Sequence, residues 1–157
     1  MRADLAWWWH TLHDPALPLV YFGELPEPDI VVSTDASDAG LCALVPTLRL
    51  TLTYRFTPAE RRQIEDFKQG SPNEFDINYR KLFVCAFAIH ACAPTWRAAR
   101  PQSRPLYVHF RIDNTSAIAW KTKMASRNPR SQVIIRLISL WEIQFGIRIS
   151  ASHIPGV

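Results

Sequence analysis

"DIVVSTDASDAGLCALV", residues 29–45, decides how this chain folds. Ile30, Val31 and Val32 are β-branched and apolar, which suits a buried strand. Asp35 stands at the exit of that strand, and Ser37, Asp38 and Gly40 supply turn chemistry behind it. Leu41–Val45 then reads as a second strand. A carboxylate this close to a core costs several kcal/mol unless something compensates it. Asp35 therefore either caps the turn by accepting backbone N–H bonds or belongs to a charged site.

The pattern continues outward from that hairpin. "RLTLTYRF" (Arg49–Phe56) alternates like a half-exposed third strand. Short turns between the three make an antiparallel meander the economical arrangement. "TPAERRQIEDF" offers Thr57 as N-cap, Pro58 at the first helical position and Glu60 as capping-box partner. "INYRKLFVCAFAIHACAPTW" predicts a central helix, with Leu82, Ala86, Ile89 and Ala93 on one face. Val84, Ala88 and Ala91 widen that face, and Pro94 is expected to end the helix. His90 lies on it as a core or boundary residue. "PLYVHFRIDN" is a further strand, and it too ends in an acid, Asp113. "NTSAIAWKTKM" predicts a helix capped by Asn114 or Thr115. A long helix from about Arg130 to Phe145 follows, closed by Gly146, and "IRISASHIPGV" holds a last strand. Trp120 and Trp141 are expected in the core.

Upstream, residues 3–13 predict a short amphipathic helix, and "HDPALPLVYFGELPEPD" reads as an extended proline-rich arm. Trp7, Trp8 and Trp9 are either a docking patch for a neighbouring domain or protein, or part of this chain's own core. The organisation is thus a connecting segment over 1–28 and one α/β domain over 29–157.

At 157 residues, almost half of them apolar, the chain is long enough for a single core. No apolar run approaches the roughly 18–20 residues of a membrane span, so no membrane is expected. The N-terminus lacks the apolar core and cleavage site of a secretory signal. Cys42, Cys85 and Cys92 form an odd set with no metal spacing, expected as reduced small hydrophobes in an intracellular protein, cytoplasmic or nuclear. The net charge of +4 mildly favours a polyanionic partner. Its distribution says more: between Asn114 and Trp141 there is no acid, while Lys121, Lys123, Arg127, Arg130 and Arg136 fall there.

Two strands end alike, in "STDAS" and "RIDNT". If they are neighbours, Asp35 and Asp113 meet at one edge of the sheet and must share a proton or a cation. Hard carboxylate oxygens suit Mg²⁺ or Mn²⁺. Paired Mg²⁺ ions about 4 Å apart activate a water and stabilise the leaving oxygen of a phosphodiester. A basic stretch beside them would hold a phosphate backbone.

"TDASDAGLCAL", "INYRKLFVCAFAI", "VHFRIDNTSAIAW" and "SASHIPGV", in that order, resemble the ribonuclease H domain of retrotransposon reverse transcriptases, with a DIRS-type flavour. The likeness covers about Asp29 to Val157, and "DLAWW" resembles the segment that joins the polymerase to this domain. It implies a ribonuclease H-like α/β fold: a mixed five-stranded sheet, its first three strands antiparallel, flanked by helices. It implies hydrolysis of RNA in RNA–DNA hybrids by four acids holding two Mg²⁺ ions. Asp35 matches the first acid and Asp113 the third, as catalytic and metal-ligating residues. The second, a Glu in the family, is matched by Lys81. The fourth is expected a little beyond "HIPG", past Val157, so the resemblance implies that it is either truncated away at the C-terminal end or missing.

Glu→Lys swings the local charge by two units, which weakens any metal site severely. Two arrangements are open: Lys81 bends away to water, or its ammonium sits between Asp35 and Asp113 in the metal's place. Impaired cleavage, or a non-catalytic module that binds nucleic acid or a protein, is the expectation. Glu74 and Asp76 are poorly spaced substitutes for the missing acid. His153 does not match the family's histidine, a position occupied by Val157. Asn114 and Ser116 are expected first as capping residues and second as phosphate contacts. Lys121, Lys123, Arg127 and Arg130 are the candidate grip on a hybrid backbone.

Overall fold

The computed structural model describes residues 26–99 and 104–154, together with Leu5, Ala6, Trp9 and His13, the side chains of Trp120 and Thr122 excepted. The expectations for the helix over 3–13, the arm, Trp7 and Trp8 lie almost wholly outside the described residues; Trp9 is exposed.

Among the described residues five strands and four α-helices follow one another: β1 (Ile30–Ala36), β2 (Gly40–Val45), β3 (Leu50–Arg55), α1 (Pro58–Lys68), α2 (Ile77–Ala98), β4 (Leu106–Ile112), α3 (Thr115–Lys123), α4 (Pro129–Phe145) and β5 (Ile147–His153). The architecture is α/β, with one mixed sheet in the order β3-β2-β1-β4-β5. β1 pairs antiparallel with β2, and β2 with β3. On its other edge β1 pairs parallel with β4, and β4 with β5. The antiparallel meander thus describes only one side of β1.

Local chemistry accounts for the elements. Ile30, Val32 and Ala36 alternate into the core from β1, as Leu41, Ala43 and Val45 do from β2. β1 runs two residues further than the Ile30–Thr34 strand that its sequence suggests, so Asp35 lies within the strand, opposite Cys42, rather than beyond it. Ladder hydrogen bonds to β2 carry the strand past its hydrophobic residues. β3 begins one residue later than its alternation suggests. A turn of 3-10 helix at Pro46–Leu48 delivers the chain through Arg49, which adopts φ 50°.

Thr57 caps α1 with the complete capping box: its hydroxyl accepts from the Glu60 N–H, and Glu60 accepts from the Thr57 N–H at 2.8 Å. Asp76 caps α2, and Asn128 caps α4. Gly146 closes α4 at φ 57°, in the left-handed region.

α2 is the central helix, packed against β1, β2 and α4. Leu82, Ala86, Ile89 and Ala93 are buried on it, with Val84 and Ala88; Ala91 and His90 are exposed instead. Pro94 does not end it. The helix continues to Ala98 because Trp96, in its last turn, is buried in the core. A proline removes only one intrahelical donor, at the level of exposed His90, and the buried indole outweighs that loss. Trp141 is half-buried beside His90 rather than enclosed. All three cysteines are free; Cys85 and Cys92 are buried and Cys42 half-buried. Burial pushes the Cys85 thiol up to about 12, despite a contact with Thr34. Among the described residues no helix is long and apolar enough to cross a membrane.

Candidate functional site

Parallel pairing brings the two acids together. Thr34 of β1 stands opposite Ile112 of β4, so the next residue on each chain, Asp35 and Asp113, lies at the same level on neighbouring strands. Parallel neighbours stand roughly 5 Å apart. Two carboxylates at that separation share either a proton or a cation.

α2 supplies the cation. Lys81, in its second turn, is buried, and its ammonium forms ion pairs with both Asp35 and Asp113, the latter at 2.6 Å. Burial works against the charge on Lys81, but the hydrogen bonds and charges of Asp113 and Asp35 outweigh it and hold its pKa above the ordinary lysine value. Asp113 is partly covered, whereas Asp35 remains largely exposed.

The neighbouring residues of α2 fix the rim. Arg80 is buried and donates from Nη1 to the Ser37 carbonyl at 2.6 Å and to Asp38 at 2.9 Å. Lys68 reaches the same Asp38 at 2.5 Å. Hydrogen bonds from Lys68 and then Arg80 hold the Asp38 carboxyl below its ordinary value. Asn78 accepts from the Asn114 amide at 2.9 Å, and Asn114 in turn caps α3 by accepting from the Ala117 N–H at 2.8 Å. The start of α2 therefore clamps the β1–β2 turn, both acids and the start of α3.

This arrangement does not fit a divalent cation. A dication and an ammonium about 4 Å apart repel by roughly 8 kcal/mol at an effective dielectric near 20. Among the described residues no three His, Cys, Asp or Glu side chains converge as a metal cluster. Glu74 and Asp76 bring no replacement: Asp76 caps α2, accepting from the Tyr79 N–H, and Glu74 pairs with Arg130. His153 is exposed at the end of β5.

No protein-family model and no curated protein matches the chain.

The expected basic track is divided. Lys123 and Arg127 are exposed near the turn between α3 and α4. Arg130, also exposed, contacts Gln63 at 2.7 Å and Glu74 at 3.5 Å. Lys121 is different: it turns inward and bonds Glu142 at 3.2 Å. Ser116 is half-buried in the first turn of α3, and Asn114 is occupied by its cap and by Asn78.

Three polar residues escaped the sequence reading. Glu142 is buried in α4 and accepts from the Ile149 N–H of β5 at 2.8 Å as well as from Lys121. Its spacing from Ile135 and Ile138 on the core face was a usable signal. Arg80 carried none, because an arginine beside a lysine reads as ordinary helix surface. His109 of β4 bridges Ser150 and Ser152 of β5 through its two ring nitrogens, at 2.8 and 2.7 Å. That grouping depends on strand register, and no local pattern announces it.

Proposed function

We propose that this chain is a ribonuclease H-like domain of the retroelement reverse-transcriptase kind that has kept the fold and lost hydrolysis, and that it works as a nucleic-acid-binding module. The observation that carries the reading is the Lys81 ammonium lying between Asp35 and Asp113. In the nuclease family that place belongs to Mg²⁺ or Mn²⁺. A protonated lysine compensates the two acids but, unlike a metal ion, coordinates no water and generates no hydroxide nucleophile.

The five-stranded mixed sheet, with its two acids on adjacent strand ends, supports the family reading. The exposed cations Lys123, Arg127 and Arg130 support a polyanionic ligand, with an RNA–DNA hybrid the first candidate.

The test pairs binding with cleavage on an end-labelled RNA–DNA hybrid in Mg²⁺ or Mn²⁺. The expected result is binding that weakens steeply between low and moderate salt, without cutting. Cutting by the unmodified chain that Asp113→Asn abolishes would restore the catalytic reading. Absence of hybrid binding at low salt would remove the nucleic-acid role. Lys81→Glu adds a third carboxylate, and a rise in its melting temperature with Mg²⁺, absent in the parent chain, would show that Lys81 holds the cation position.

A further inference from the structure

The sheet has two end strands, β3 and β5, and they are treated differently. On β5 the Glu142 carboxylate accepts from the Ile149 N–H at 2.8 Å, and α3 and α4 pack against the strand. Among the described residues no strand lies beyond β3, and no side chain bonds its backbone in this way. The ladder to β2 shows which of its groups are left over. The Phe56 N–H donates to the Ala39 carbonyl at 3.0 Å, just past the paired Gly40 and Arg55. Hydrogen-bonded positions alternate along an antiparallel pair, so Tyr54, Leu52 and Leu50 turn their backbone groups to β2. Thr51, Thr53 and Arg55 turn theirs outward.

Such an edge invites another strand unless prolines, bulges or inward charges blunt it. β3 carries none of these. Its pairing with β2 runs unbroken from Leu50 to Arg55, it contains no proline, and its one charge, Arg55, is exposed at its end.

The strand complements itself. Leu50, Leu52 and Tyr54 are half-buried against the core, while Thr51, Thr53 and Arg55 are exposed. A twofold axis normal to the sheet lays a second β3 antiparallel to the first and keeps each face on its own side. With the two Thr53 residues opposed, Thr51 of either copy meets Arg55 of the other, and each opposed pair exchanges two backbone bonds. On the helix side Leu52 falls beside Tyr54 of the second copy, which covers apolar surface that one chain leaves half open. The register centred on Leu52 instead sets Arg49 against Arg55, and like charges directly opposite are unfavourable.

We propose that β3 is a self-association edge, through which two copies of this chain pair antiparallel over Leu50–Arg55 and continue the sheet across a twofold axis. Six residues a side is fewer than the about 20–30 of a stable interface, so the dimer is a weak one that forms as concentration rises.

The test is sedimentation of the full chain, from low micromolar to near-millimolar concentration. No nucleic acid is present, so the outcome is independent of hybrid binding. The parent should pass from monomer towards dimer. Thr53→Lys and Thr53→Glu each set like charges across the axis and should weaken association by roughly tenfold or more. Mixed in equal amounts, the two variants should recover it. Thr53 is exposed and its backbone groups point away from β2, so both variants should melt near the parent temperature. Amide exchange at Thr51, Thr53 and Arg55 should slow with rising concentration, while that of Leu52 stays constant. The proposal is overturned if the parent remains monomeric throughout, if Thr53→Lys associates as the parent does, or if the mixture of variants shows no recovery. Full protection of those three amides at the lowest concentration would overturn it too, because another segment of the same chain would then occupy the edge.

Discussion

The Lys81 ammonium lies 2.6 Å from the Asp113 carboxylate, joining the second turn of α2 to the end of β4, and it grips Asp35 of β1 as well. One side chain thus closes the gap between the two central strands. Replacing it with methionine keeps most of the packing of its stem and leaves two carboxylates facing each other. Removing one partner of a fully buried ion pair costs about 3–5 kcal/mol. Asp35 is largely exposed, which reduces the figure to about 1–3 kcal/mol. Urea unfolding of Lys81→Met should show that loss, and Asp35→Asn added to it should recover part.

The pair that joins Lys121 of α3 to buried Glu142 of α4 should be the more sensitive one. Glu142 holds the Ile149 N–H at 2.8 Å and Lys121 at 3.2 Å. Lys121→Met strands a buried carboxylate and is expected to cost about 3 kcal/mol. Adding Glu142→Gln removes the stranded charge and keeps an acceptor for Ile149, so the double variant should be more stable than Lys121→Met alone. A double-mutant cycle from chemical denaturation measures the coupling; additive effects would contradict it.

Gly40 is held by space rather than by its own backbone angles. A Cβ there would stand 2.2 Å from the Tyr54 carbonyl oxygen on β3. Backbone cannot yield as a flexible side-chain tip would, so Gly40→Ala should cost about 2 kcal/mol or more and loosen the β2–β3 ladder. Hydrogen exchange should rise first at the amides of Cys42 and Thr53, which face each other in that ladder.

His109 predicts the direction of an acid response. Burial and then the Arg111 charge lower its pKa from the ordinary 6.5. The folded state therefore binds fewer protons than the unfolded one, and stability rises with pH in this window. As pH falls through 6.5 towards the lower folded value, stability should decline. His109→Gln should flatten the part of the thermal-melt pH profile that His109 causes; an unchanged slope would assign the effect elsewhere.

Sequence alone determined what is local. The capping box of α1, the glycine stop of α4 and the strand character of β1 and β4 are set by residues a few positions apart. The strand-end positions of Asp35 and Asp113 were legible in the same way, whereas Lys81 drew notice only through the resemblance, as the residue that matches the family's glutamate. Tertiary structure decided what depends on distant partners. Pro94 lies inside α2 because the core encloses Trp96, which no helix-stop rule can weigh. Lys121 faces inward because β5 and α4 place buried Glu142 within its reach. Of two destinations open to Lys81, the ammonium took the one between the acids, because the parallel register of β1 and β4 places both carboxylates at one level under the second turn of α2. A long cationic side chain is satisfied by water or by carboxylates, and only the fold determines which of them it meets.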